Sequence, residues 1–457
     1  MDGATGRRTR PRYRSAGYAH DIGQRLMATN GLVIAGLGSG SGKTTLTLGI
    51  LRALSRRGVA VGAAKTGPDY IDGAFLAAAC GTPAVNLDAH AMPADMLRHL
   101  AYAQSPPFLL IEGVMGLFDG SDGGSGSTAA LAGILGLPVL LVMDVRHQAQ
   151  TAAAIAAGMR GLLPDNSRMA GVVLNRIASL RHEQLIATAL GAYDIALFGS
   201  LPSHRDITVP SRHLGLLQAA DLAADNRLEP FLESAADLVD RHLDLDSICA
   251  AAGPIAPQDA VPGFLPPPGQ RVAIAKDVAF GFSYLHMLRY WQAAGAEILP
   301  FSPLADEAPA SDADAVFLPG GYPELHLPTL STATTFLGGL RSAAMNGLPI
   351  YGECGGFMTL GDSITDAEGT SFRMAGLLSL ETSFADRKLH LGYRKVSPRH
   401  KAWPAPGPLT AHEFHYSTAI KASGTPLFDA MDAGGHSLPP MGLKRDNVFG
   451  SYAHIIA

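Results

Sequence analysis

The sequence predicts an α/β protein of two units, a doubly wound, mainly parallel sheet followed by a second α/β unit. Three observations predict it. Short apolar runs bounded by glycine or proline alternate with helix-spaced stretches from residue 30 to about 245, as strands buried on both faces do. A proline-rich break, containing PIAPQDAVPGFLPPPGQ, covers residues 246–269 and reads as a linker. A second alternation then runs over residues 270–457. At 457 residues, 47% of them hydrophobic, the chain is too long for one core.

In chain order, residues 1–29 are arginine-rich without an apolar core, so they read as an extension without fixed structure rather than a secretory signal. The first unit's strands are GLVIA, VAVGAA, FLLIEG, PVLLVMD, MAGVVLN and IALFGS, and LTLGILRALSRRG and TAAAIAAGMRGLL have helical spacing. The second unit opens with RVAIAKD, a helix through FSYLHMLRYWQAAG, then AEILPFSP, DAVFLPGG and PIYGECGG. Shorter β-like segments follow in LHLGYRKVS, LTAHEFHYS and NVFGSYAHI. A net charge of -5 offers no basic surface for nucleic acid, and no apolar run is long enough to span a bilayer. Cys80, Cys249 and Cys354 are too few and scattered for a disulfide framework, which points to the cytoplasm.

GLGSGSGKTT, residues 36–45, lies at a strand-to-helix turn, where backbone N–H groups and a helix N-terminus hold phosphate oxygens. The expected ATP contacts are Gly36, Ser39, Gly40, Ser41, Gly42, Lys43, Thr44 and Thr45, with Lys43 on the terminal phosphates and Thr44 on Mg²⁺. Five residues separate Gly36 from Gly42, one more than the usual loop. A partition-type ATPase would place a lysine where Gly38 stands. Glu112 ends the strand FLLIE, and Asp69 offers a second carboxylate, so Thr44, Asp69 and Glu112 form the expected metal set; the lesser alternative for Asp69 or Asp72 is a turn or helix-cap residue. Lys65 is placed to neutralise an acyl phosphate.

In the second unit, GECGG, residues 352–356, has the form of a nucleophile elbow. Cys354 is the expected nucleophile, its thiol pKa lowered by a helix N-terminus and a histidine. His412 and His415, in HEFHYS, compete with His454 as that partner and could instead bind a metal or substrate.

These motifs carry a family resemblance. The longer P-loop resembles that of dethiobiotin synthetase and the ATP-dependent corrin amidases. KTGPDYIDGAF (65–75) and EGVMGLFDG (112–120) resemble motifs of the cobyrinic and hydrogenobyrinic acid a,c-diamide synthases. The second unit resembles class I glutamine amidotransferase domains: LPGGYPE (318–324) matches the oxyanion loop, implying Gly320 and Gly321 as its backbone donors, and GSYAHI (450–455) marks His454 as the catalytic histidine. The resemblance implies Tyr70 and Asp72 as contacts of a corrin polycarboxylate, and Asn175 as an adenine reader. It further implies ATP, Mg²⁺ and L-glutamine, amidation of the a and c acetates of hydrogenobyrinic acid, and a homodimer. Cobalt-containing cobyrinic acid is the alternative substrate, and a partition-like ATPase with a relic amidase domain the remote one. Many class I domains place a glutamate two residues after the histidine; here that position is Ile456, so a Cys and His dyad oriented from elsewhere is expected. Gly73 and Leu76 also depart from the proline and histidine of related loops.

Overall fold

The computed structural model describes residues 29–104, 106–203, 219–258, 261–400 and 407–457, and residues 1–28 of the expected extension lie outside them. The first sheet is built from β1 (Asn30–Gly36), β2 (Val61–Thr66), β3 (Val85–Leu87), β4 (Phe108–Glu112), β5 (Val139–Asp144), β6 (Met169–Ile177) and β7 (Leu197–Pro202). Their spatial order is β3-β2-β4-β1-β5-β6-β7, with every pair parallel. Strands such as β4, buried at every residue, carry continuous apolar runs because helices cover both faces of a parallel sheet. Helix α1 (Lys43–Arg56) follows β1 directly, and α2 (Ile71–Cys80) follows β2. Both start at strand C-termini, so the P-loop and residues 67–70 share one edge of the sheet.

The proline-rich segment is not wholly a spacer. Its short β8 (Gly253–Pro254) pairs antiparallel with β1, and Ile255 is buried against Gly31. Trp291 donates its indole N–H to the Leu265 carbonyl at 3.1 Å. One continuous apolar cluster therefore runs from Val33 through Ile255 to Val272 and Tyr284, joining the two units.

In the second unit, β9 (Arg271–Ala275), β10 (Glu297–Phe301), β11 (Ala315–Leu318) and β12 (Ile350–Glu353) form a parallel core. Three short strands follow: β13 (Ser363–Thr365), β14 (Ser371–Arg373) and β15 (Leu380–Ser383). Then come β16 (His390–Pro398), β17 (Leu409–His415), β18 (Thr418–Ala422), β19 (Thr425–Asp432), β20 (Ser437–Arg445), β21 (Val448–Ser451) and β22 (Ala453–Ile455). The large sheet has the order β10-β9-β11-β12-β21-β20-β19-β16-β17-β22, and a separate small one the order β14-β13-β15-β18. Only Tyr452 separates β21 from β22, yet these strands sit at different places along the path. The sheet therefore rolls back on itself, bringing β22 beside the end of β12. The sequence reading runs NVFGSYAHI as one segment; the bend at Tyr452 is what delivers its histidine to the cysteine turn.

Candidate active site

At the nucleotide end, glycine is required where the loop turns sharply. Gly42 precedes α1 at φ +98°, and a Cβ there would lie 2.1 Å from the Asn175 amide nitrogen. That nitrogen donates to the Ser41 carbonyl at 2.9 Å, so Asn175 buttresses the loop. The expected adenine reader thus has one of its donors engaged by the P-loop backbone. Lys43 Nζ donates to the carbonyls of Gly38 (3.0 Å) and Met115 (2.5 Å). Met115 lies in EGVMGLFDG at φ +44°, so this second motif folds over the first through a strained main-chain turn.

Thr44 Oγ1 donates to Glu112 Oε1 at 2.6 Å, and Lys65 Nζ reaches the same oxygen at 3.0 Å. The other carboxylate oxygen, Oε2, is buried and has no hydrogen-bond partner among the described residues. A hydroxyl, a carboxylate and an unsatisfied buried oxygen fit a hard divalent cation. Asp69, the third expected ligand, engages one oxygen in its own turn. Its Oδ1 accepts the N–H groups of Ile71 (2.7 Å) and Asp72 (3.1 Å), capping α2 as the alternative reading has it.

Two further expected residues make contacts of their own. Asp72, expected on the macrocycle, pairs with Lys65 at 2.5 Å. Burial would lower the Lys65 pKa, but Glu112 and then Asp72 outweigh it and hold the ammonium charged. Tyr70, also expected on the macrocycle, turns into the second unit. Its ring lies 4.4 Å from that of Tyr284, 5.3 Å from Phe282 and 5.0 Å from His454. The short connection between β2 and α2, with the first turn of α2, therefore carries the cap and its salt-bridged Asp72 on one side and touches the catalytic histidine candidate on the other. Asn86 on β3 fixes that connection, its amide donating to the carbonyls of Gly67 (2.9 Å) and Asp69 (2.8 Å).

At the cysteine end, Cys354 sits at φ 45°, ψ -105°, a conformation few non-glycine residues adopt. The elbow predicted from GECGG is thus present, with the strain characteristic of such turns. The thiol is 4% exposed, and its Sγ lies 3.8 Å from the Phe414 carbonyl. Burial, and then the nearby Glu324, push its pKa well up, so the expected depression is not found. The helix after it, Gly355–Leu360, has only six residues, and three glutamates, Glu324, Glu413 and Glu353, surround the thiol.

His454 lies on β22, 1% exposed. Burial, then His412 and His415, lower its pKa to about 3, leaving a neutral imidazole. A Cβ on Gly320 would lie 2.1 Å from its Cε1, and one on Gly355 would lie 3.1 Å from the Gly321 nitrogen. The oxyanion-loop glycines therefore pack between the histidine and the turn after the cysteine. In HEFHYS, by contrast, Glu413 and His415 already have partners. Glu413 accepts from Arg394 Nε at 2.8 Å and pairs with His415 Nε2 at 3.0 Å, while the His415 and His390 rings stack at 4.6 Å. His390, Glu413 and His415 cluster closely enough for a metal, but the Arg394 guanidinium already neutralises the carboxylate.

Several residues here escaped the sequence reading. Asp144, ending β5, binds Arg176 at 2.5 Å, and Arg176 reaches the Gly40 carbonyl at 2.9 Å from φ +62°. Glu353, ending β12, accepts the Ile455 N–H on Oε1 at 3.0 Å and presents Oε2 to His454 Nδ1 at 3.8 Å. Burial raises its pKa to about 8. Their common signal is a carboxylate closing an apolar strand, the signal by which Glu112 is legible.

Comparison with known proteins agrees with both halves. Residues 32–217 match the CobQ/CobB/MinD/ParA nucleotide binding domain, and residues 271–457 the CobB/CobQ-like glutamine amidotransferase domain. The chain is 47% identical over 430 residues to the hydrogenobyrinate a,c-diamide synthase of Rhizobium meliloti (strain 1021), covering 93% of this chain and 99% of that protein. It is 48% identical to the enzyme of that name from Sinorhizobium sp, covering 93% and 98%, and 47% identical to that of Rhodobacter capsulatus, again covering 93% and 98%.

Proposed function

The chain belongs to the hydrogenobyrinate a,c-diamide synthase family, and from that premise we propose that it amidates the a and c acetate carboxylates of hydrogenobyrinic acid in cobalamin synthesis, using ATP and glutamine. The observation that carries the reading is the chain from β2 into the first turn of α2: Asp72 on that turn pairs with Lys65 beside Glu112, while Tyr70 just before it packs on His454. Two half-reactions that exchange ammonia need such adjacency, because water would protonate ammonia and hydrolyse an activated acid.

At the cysteine, Sγ attacks the glutamine side-chain carbonyl carbon while His454 takes the thiol proton. The oxyanion that forms is held by backbone N–H groups of the Gly320–Gly321 loop. Collapse breaks the C–N bond, His454 returns the proton to the leaving nitrogen, and ammonia departs from a thioester. Water then releases glutamate and restores the thiol. The neutral state of His454 suits a base. At the P-loop, an acetate oxygen attacks the γ-phosphorus of ATP and ADP leaves; ammonia then displaces phosphate from the acyl carbon. Lys43 exchanges its carbonyl partners for phosphate oxygens, and Lys65 offsets the charge of the acyl phosphate. Thr44 and Glu112 would hold Mg²⁺, which supplies charge neutralisation on the phosphates. Asp69 stands behind them as a cap, with Asn175 supporting the loop.

The same reading takes the enzyme as a cytoplasmic homodimer. No helix among the described residues is long and apolar enough to cross a membrane. The deciding experiment is mass spectrometry of the products from metal-free and cobalt-containing rings, supplied with ATP and glutamine. Two added amides on the metal-free ring are expected. No mass change on it, with amidation of the cobalt ring, would transfer the assignment to cobyrinic acid.

A further inference from the structure

We infer that Glu353 is the positioning residue for His454, taking the place of the glutamate that many class I amidotransferases carry where this chain has Ile456. The inference rests on the glutamine-hydrolysing reading of this site. Glu353 closes β12 immediately before the nucleophile and pairs in register with Ser451 of β21. Beyond the bend at Tyr452 come His454 and Ile455, so the carboxyl group stands beneath the histidine strand. Oε1 accepts the Ile455 N–H at 3.0 Å, and this bond aims Oε2 at His454 Nδ1, 3.8 Å away.

The imidazole leaves little alternative. Both side chains are 2% exposed, and Nδ1 is buried with no hydrogen-bond partner among the described residues. A buried unpaired nitrogen calls for a partner, which the Glu353 carboxyl supplies as an acceptor in the Nδ1–H tautomer, and catalytic hydrogen bonds are often long before substrate binds. Closing the gap by about 1 Å would bring the pair to ordinary hydrogen-bond length. With Nδ1–H held by the carboxyl group, Nε2 becomes the free base. The Gly320 backbone lies against the ring at Cε1, where no Cβ would fit, so sideways movement is already limited. Ile456 cannot share the task, since it has no acceptor side chain and its N–H donates to the Thr410 carbonyl.

The test compares Glu353→Gln with the native enzyme in two assays, glutamine hydrolysis and amidation driven by free ammonia. The glutamine side chain keeps an acceptor for Ile455 N–H but presents an amide N–H₂ to Nδ1. We expect kcat for glutamine hydrolysis to fall on the order of 10- to 100-fold, the scale of a misdirected general base, with KM for glutamine nearly unchanged. Alkylation of Cys354 by iodoacetamide should slow in parallel, the ammonia-driven rate should hold, and Glu353→Asp should recover part of the loss. Native glutamine turnover in Glu353→Gln would overturn the inference. Equal loss of both activities would assign Glu353 to folding instead. If the native enzyme hydrolyses glutamine but amidates no corrin, the substrate reading fails while the hydrolysis comparison still decides the role of Glu353.

Discussion

The two ends of the molecule handle charge in opposite ways. At the P-loop, pairing works against burial: Lys65 is held charged between Asp72 and Glu112, although burial still raises the Glu112 pKa and lowers that of Lys43, which lies on two main-chain carbonyls. At the cysteine, burial removes charge. His454 is neutral, and both the Glu353 carboxyl and the Cys354 thiol hold their protons more tightly than usual. The first site is poised for polyanions, whose phosphates can take over existing charge-assisted partners. The second is poised for a neutral amide, and its charges need appear only as the thiol is attacking.

The sharpest way to break this contrast is to delete one centre at a time. Cys354→Ala should abolish glutamine-dependent amidation yet leave turnover with high free ammonia, whereas Lys43→Ala should abolish both. Amide formation measured with each nitrogen source checks this, and normal glutamine use by the cysteine variant would refute the site. Gly320→Ala should come next. Its methyl group would meet the His454 ring at 2.1 Å, so glutamine turnover should drop by on the order of 100-fold, as expected when a base is displaced, while ammonia-driven turnover persists.

Lys65→Met tests the paired end. Removing one partner of a buried ion pair costs about 3–5 kcal/mol because the remaining charge is uncompensated. Here Glu112, 0% exposed, and Asp72 would be left together. Denaturant unfolding of the first unit should show that loss, and adding Glu112→Gln should restore part of it. If Lys65→Met is as stable as the native chain, the pairing argument fails.

How much of this was legible follows from where the signals lie. Gly36 to Thr45, Glu112 and Cys354 were readable because each motif is a strand end plus its turn, a local arrangement. The strands of the first sheet were readable for the same reason, apart from β3 and β8, whose three and two residues are too short for periodicity. The contacts of Tyr70 with His454 and of Asp72 with Lys65 were not legible, because they depend on the docking of two units and on a buried charge balance. Asp69 kept its alternative as a cap, which the bonds to Ile71 and Asp72 support. The small sheet and the return of β22 were hidden because strand order in an antiparallel roll is set by nonlocal pairing. Glu353 was inside a quoted motif, but its role depends on the bend at Tyr452.

The last test varies pH, and it separates the two ends thermodynamically. His454 and His286 are buried with pKa values lowered to about 3 and about 4 by desolvation, against an ordinary value of 6.5. Their neutral forms contribute stability that is present above pH 6.5 and lost as pH falls towards the folded values, because the unfolded chain binds protons first. His412, lowered to about 4 by burial and then Arg394, adds to the same arm. Glu353 has the opposite sign. Its pKa is raised to about 8, so its contribution is present at acid pH and lost as pH rises through that value. All four residues belong to the second unit, whose stability should therefore peak near neutrality and fall on both sides. Each newly bound proton steepens the acid limb by about 1.4 kcal/mol per pH unit. Thermal unfolding between pH 4.5 and 9 should show this arch, and Glu353→Gln should flatten its fall between pH 6.5 and about 8 while steepening the acid limb, because the Glu353 contribution is lost across the whole interval from 4.5 to about 8. An alkaline limb unchanged in that variant would place its origin elsewhere.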